Sequence, residues 1–150
     1  MPEPYSKPET IALRLPSRLE LLGLLDRVTD SVSERLSFDE DARSQISMSV
    51  IEAGTNAIQH GHHRDATKAV DIEFRVLPDA LEIVVHDTGT GFDLKAVNGN
   101  VTSPEHLLDQ RGRGIYIMRS CMDQVEFAFS GTGTTCRLVK KRPPPTAREP

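Results

Sequence analysis

Two stretches of strict alternation limit this chain more than any other feature. Val70, Ile72, Phe74 and Val76 alternate with mostly polar residues, Pro78-Asp79 supplies a turn, and Leu81, Ile83 and Val85 alternate again. Side chains two apart share one face of a strand, so this is a hairpin with one apolar face to be covered. Val125, Phe127 and Phe129 repeat the pattern, Gly131-Thr-Gly133 turns the chain, and Cys136, Leu138 and Val139 read as a last strand. Ile11, Leu13 and Leu15 give a shorter strand near the start.

The cover comes from helices. Leu21, Leu25, Val28, Val32 and Leu36 step by fours and threes, one apolar stripe, with Ser17-Arg-Leu-Glu20 ahead of it as a capping box. A second helix starts near Asp39, whose carboxylate can cap it. Its apolar side is Ala42, Ile46, Val50, Ala53 and Ala57, and Gly61 is a natural stop. Ile115, Met118 and Met122 fit a short third helix as core residues. The order is strand, helix, helix, hairpin, loop, helix, hairpin. It predicts an α+β fold, a two-layer α/β sandwich in which helices cover one face of a mixed, mostly antiparallel sheet.

The 150 residues suffice for one domain that buries roughly 68–70% of its unfolded surface. The expected division is a flexible lead-in over 1–9 with three prolines, a domain over 10–140, and a disordered, proline-rich tail over 141–150. Lys140 to Arg142 reads as a solvated end. Residues 88–110 form a connection long enough to expect a functional loop. A net charge of -4 gives no reason to expect a nucleic-acid groove. No apolar run approaches the ~20 residues of a membrane span and no signal sequence opens the chain, so a cytoplasmic protein is expected. Cys121 and Cys136 sit in apolar segments and read as packed thiols.

Four short motifs carry the chemistry. Glu52-Ala-Gly-Thr-Asn56 puts a carboxylate and an amide one helical turn apart on one face. Asp87-Thr-Gly-Thr-Gly91 ends a strand with an aspartate, and Gly89 and Gly91 let backbone approach a ligand closely. Gly112-Arg-Gly114 reads as a turn running into the third helix, where N–H groups can meet phosphate, and Arg111 and Arg113 add charge. Gly131-Thr-Gly-Thr-Thr135 places Thr134 and Thr135 on the last strand. Each has a plain alternative: a solvated helix glutamate, a helix-end asparagine, an aspartate capping a turn, a tight turn, and β-propensity. Gln45 and Ser49 continue the face of Glu52. His60, His62 and His63 straddle a helix end and read as solvated rather than as a metal site. No Gly-x-x-x-x-Gly-Lys-Ser/Thr loop is present.

In this order the four motifs resemble those of the GHKL ATPases (gyrase, Hsp90, histidine kinase and MutL type, with the Bergerat ATP-binding fold) over about residues 10–140. Asn56-Ala-Ile-Gln-His-Gly61, Arg111-Gly-Arg-Gly-Ile-Tyr-Ile-Met-Arg119 and Met122-Asp-Gln-Val-Glu-Phe127 narrow the likeness to the anti-sigma factor serine/threonine protein kinases of bacterial partner switching. The resemblance implies ATP and Mg2+ as cofactors, Glu52 as catalytic base and Asn56 as magnesium ligand. It also implies Asp87 on the adenine amino group, Gly89, Gly91, Thr134 and Thr135 around the nucleotide, and Arg111 to Gly114 at the phosphates, hinging a lid. The implied partners are an anti-anti-sigma protein of STAS type as substrate, a sigma factor, and a second copy through residues 10–36. No phosphoacceptor helix and no transducer domain accompany the motifs, so a whole sensor kinase or a gyrase-like machine is not expected. Gln59, where such kinases commonly carry a small apolar residue, and the polar Asn98-Gly-Asn100 leave partner choice open. Two other readings stay open: a non-catalytic nucleotide-dependent binding module and a water-directed ATPase.

Overall fold

A computed structural model of the chain describes residues 8–94 and 110–144. Its strands are β1 (Glu9–Pro16), β2 (Ala69–Val76), β3 (Ala80–Asp87), β4 (Gln124–Ser130) and β5 (Gly133–Lys141), joined in one sheet in the order β1-β2-β3-β5-β4. Among the described residues every pairing is antiparallel, where a mixed sheet was expected. The connections explain the difference. β4 does run in the same direction as β3, but β5 folds back between them, so no two parallel strands become neighbours.

Helices α1 (Leu22–Arg35), α2 (Glu40–Thr55) and α3 (Gln110–Cys121) cover one face. Leu25 from α1, Ile46 and Val50 from α2, and Ile115 and Met118 from α3 meet Ile72, Phe74, Ile83 and Leu138 of the sheet, none more than 1% exposed. This is the layer that the alternating strands require, and burial of such side chains stabilises the fold by about 1.5–3 kcal/mol each. Cys121 and Cys136 are free; Cys136 is buried, which pushes its thiol up to about 12.

Helix boundaries follow the expectations in one place and depart in two. Asp39 caps α2, accepting the Ala42 N–H at 2.8 Å. Ser17 makes no capping box: it is fully buried with its Oγ 2.6 Å from His62 Nδ1, and the chain enters α1 through an uncapped 3-10 turn, Leu19–Leu21. Nor does Gly61 reverse the chain. α2 runs on into one π-helical turn, Asn56–Gly61, closed by the His62 N–H on the Ala57 carbonyl at 2.9 Å. The left-handed residues that end it are His63 and Arg64, with φ of 51° and 61°.

Lys140 to Arg142 is not a solvated run. Lys140 Nζ donates to Gln45 Oε1 at 2.7 Å and to the Cys121 carbonyl, and buried Arg142 donates to the Leu77 carbonyl at 2.8 Å. The start of the lead-in, most of the long connection with Asn98 and Asn100, and the tail from 145 onward lie outside the described residues. No helix among the described residues is long and apolar enough to cross a membrane.

On the sheet face opposite these three helices, Glu82 is 7% exposed and accepts from Arg75 at 2.9 Å and from Arg137. Burial pushes its carboxyl up, but the two guanidiniums outweigh burial and hold it below its ordinary 4.5. A carboxylate with a lowered pKa stabilises the fold above the unfolded value and loses that contribution as pH falls through the folded one. We expect Glu82→Ala to cost about 1–2 kcal/mol at pH 7, discounted because both arginines reach water. In urea unfolding the gap to the wild type should close below about pH 4.5, the ordinary value. A gap unchanged into acid would contradict the ion-pair account.

Candidate active site

Asp87 is the last residue of β3, 7% exposed, and faces Thr134 across the β3–β5 ladder. Its Oδ1 accepts the Gly89 N–H at 2.8 Å. Burial pushes the carboxyl above its ordinary value, opposed by the Gly89 bond and by the charges of His62, His86 and Arg111. The helix backbone lies directly against it: a Cβ on Gly61 would fall 2.6 Å from Asp87 Cγ. Close approach, not chain reversal, is therefore what this position asks of glycine. Gly91, at φ +85°, bends the chain so that Phe92 and Arg111 close over the same space.

Asn56 opens the π turn at the end of α2 and borders this cavity with Asp87, Gly91, Phe92, Arg111 and Thr134. The cavity measures ≈ 20 Å³. Two buried polar atoms at its wall, Asn56 Nδ2 and Thr134 Oγ1, have no hydrogen-bond partner. Buried polar groups are normally paired, so both are available to a bound group or to water. The amide of Asn56 can turn its oxygen to the same place, and a hard oxygen donor that leaves room for waters and phosphate suits Mg2+. The residues present fit such an ion. Among the described residues no three of His, Cys, Asp and Glu gather as a metal site.

Glu52, one turn before Asn56, is half-buried, and a Cβ on Gly114 would come 2.7 Å from its Oε1. Burial pushes the Glu52 carboxyl up, and Arg113 pulls it back. On its other side Glu52 borders a cleft of ≈ 970 Å³ between α1 and α2, with Asp26, Arg27, Arg43 and Met48 in its walls. Glu52 thus lines the broad cleft, while Asn56, one turn on, lines the small cavity.

The glycine turn expected ahead of α3 is part of the helix, which is already formed at Gln110. Gly114 lets the helix pack directly on the Glu52 carboxylate. The two arginines divide: Arg111 lies over the Phe92 ring at 4.2 Å beside Asp87, and Arg113 is exposed near Glu52. Thr134 joins the cavity. Thr135 does not: it stands on the opposite face of the sheet, bonded to His86 Nδ1 at 2.9 Å. Gln45 is tied to Lys140, and Ser49 is fully buried. His62, read as solvated, is buried behind Asp87. Phe92 was not singled out from the sequence; it packs edge-on against Phe127 and Phe129, with centroids 5.3 and 5.1 Å away.

A helix-covered antiparallel sheet with these four motifs around one end of β3 defines a nucleotide-binding domain of the histidine kinase-like type. A family model described as a histidine kinase-like ATPase domain matches residues 15–140. The chain is 33% identical over 135 residues to the serine-protein kinase RsbW of Bacillus licheniformis, covering 87% of this chain and 84% of that one. The RsbW of Bacillus subtilis (strain 168) is 32% identical over the same extent, and that of Halalkalibacterium halodurans 29% over 125 residues, 80% and 76% of the two chains. The chain belongs to the histidine kinase-like (GHKL) ATPases and, within them, to the RsbW-type serine-protein kinases.

Proposed function

We propose that this chain moves the γ-phosphoryl group of Mg·ATP to a serine or threonine of a small anti-anti-sigma protein of STAS type, and alternately holds a sigma factor. The observation that carries the reading is the place of Glu52, a half-buried carboxylate packed against Gly114 of α3 at the wall of the wide α1–α2 cleft, one helical turn before Asn56, which lines the Asp87 cavity. A nucleotide on one side and a protein hydroxyl on the other would meet at this carboxylate. Asp87 takes the adenine amino group, and Gly89, Gly91 and Thr134 form the walls around the base. Asn56 would hold the magnesium ion, which supplies charge neutralisation at the phosphates. The N-terminal turns of α3, with Arg111 and Arg113, stabilise the charge spread over the transferred group, and Glu52 takes the hydroxyl proton. Phosphoryl transfer asks for little more than this positioning and electrostatics.

A homodimer through β1 and α1 goes with this reading, since β1 is an edge strand of the sheet; so does a place in the cytoplasm. The test is to incubate the chain with ATP labelled on its γ-phosphate, Mg2+ and a STAS-type protein from the same genome. Label on serine or threonine of the partner is expected. Free phosphate without phosphoprotein would make the chain a water-directed ATPase, and bound ATP with neither product would make it a binding module.

A further inference from the structure

We propose that His62 is a positioning residue: its neutral imidazole holds the Asp87–Thr88 peptide, and so aims the Asp87 carboxylate at the nucleotide. The inference rests on the reading of Asp87 as the adenine contact. The ring is 1% exposed and ties three segments together. Nδ1 lies 2.6 Å from Ser17 Oγ, just past the end of β1. Nε2 accepts the Thr88 backbone N–H at 2.9 Å and lies 3.0 Å from Thr88 Oγ1.

A backbone N–H can only donate, so Nε2 must keep its lone pair. The ring proton therefore sits on Nδ1 and is given to Ser17 Oγ, which fixes one tautomer of the neutral ring. The Thr88 N–H belongs to the same peptide plane as the Asp87 carbonyl. That carbonyl is covered from the other side by Gly133 of β5, where a Cβ would overlap it. The peptide from which the carboxylate hangs is thus gripped between the imidazole and the backbone of β5.

A protonated ring would turn an N–H against the Thr88 N–H and lose the grip. The charged groups facing the ring are Asp87 and His86 from β3 and Asp65 and Lys68 from the segment after the π turn. Burial acts most strongly against the cation, Lys68 and His86 add to it, and the two aspartates oppose it. The result holds the imidazole below its ordinary 6.5. The native state therefore takes up fewer protons here than the unfolded chain, and stability falls as pH drops below that ordinary value.

The experiment is calorimetric titration of Mg·ATP into the folded wild type, His62→Gln, His62→Phe and Asp87→Asn at pH 8. Glutamine can accept from Thr88 and donate to Ser17 but does not titrate, so at pH 8 it should bind within about threefold of wild type. Phenylalanine leaves the Thr88 N–H orphaned and should bind about tenfold more weakly. His62→Gln should therefore recover most of what His62→Phe loses. His62→Phe binding Mg·ATP as tightly as wild type, or His62→Gln binding no better than His62→Phe, would overturn the proposal. Should His62→Phe not fold, long-range 1H–15N NMR of the wild type decides: a bare Nε2 is expected, and a protonated one overturns the assignment. Asp87→Asn separates the two layers. If it binds ATP like wild type, the adenine contact fails; if it binds weakly while His62→Phe binds like wild type, only the role of His62 fails.

Discussion

Glu52→Gln is expected to slow phosphoryl transfer to the partner by roughly 10²–10⁴-fold, the usual contribution of a general base, with Mg·ATP affinity unchanged within about twofold. The substitution is close to isosteric, which matters because the Glu52 carboxylate lies against the Cα of Gly114 with no space for another atom. Glutamine keeps that packing and removes only the ability to accept a proton. Burial also raises the Glu52 carboxyl above its ordinary 4.5, with Arg113 acting the other way. The base works deprotonated, so the wild-type rate should fall as pH drops through this raised value, and the residual rate of the variant should lack that limb. Single-turnover transfer of labelled phosphate at several pH values measures both effects. Equal rates for the two proteins would remove Glu52 from the chemistry.

Much of this site can be read in the sequence, and the failures have physical causes. The strands were legible because Val70 to Val85 and Val125 to Leu138 hold their two-residue period; β2, β3 and β5 supply the core so predicted, while on β4 Val125 and Phe127 are only partly buried and Phe129 is exposed. That same period separates Thr134 from Thr135: Thr134 shares a face with Cys136 and Leu138, so Thr135 had to point the other way. Arg111 likewise shares a helical stripe with Ile115, Met118 and Met122, the signal that it turns inward while Arg113 does not.

His62 could not be found in this way. A π turn adds a residue to the repeat, so the 3.6-residue period of α2 still brings Ala57 to the core but does not carry through the turn to His62. Its partner Ser17 satisfied a capping pattern equally well, and only the tertiary contact between the end of β1 and the end of the helix decides. The start of α3 was masked by its own glycines. Gly112 and Gly114 lower helix propensity, yet α3 passes straight through them because Glu52 needs a side chain-free surface at Gly114.

Asp87→Asn is expected to weaken ATP binding by roughly 10–100-fold and to narrow the preference for ATP over GTP. A charge-assisted hydrogen bond to the adenine amino group contributes about 1.5–3 kcal/mol, which sets that range. On this reading the carboxylate would also reject guanine, whose oxygen would face it with no proton between them. An asparagine amide can turn either its oxygen or its NH2 outward, so it tolerates both bases. The stability effect should have the opposite sign. Burial raises the Asp87 pKa, so the native state takes up more protons than the unfolded chain, and the ionised group destabilises the fold increasingly as pH rises through that window. Removing the charge should therefore leave Tm unchanged or higher at pH 7, a site that trades stability for binding. The same carboxylate has to be uncovered for ATP to enter, because a cavity of ≈ 20 Å³ bordered by Phe92 and Arg111 has no room for a purine. Calorimetry with ATP and GTP, beside thermal unfolding of the free protein, reads all three quantities. Unchanged ATP affinity, or a variant that loses binding only because it unfolds, would displace Asp87 from the base.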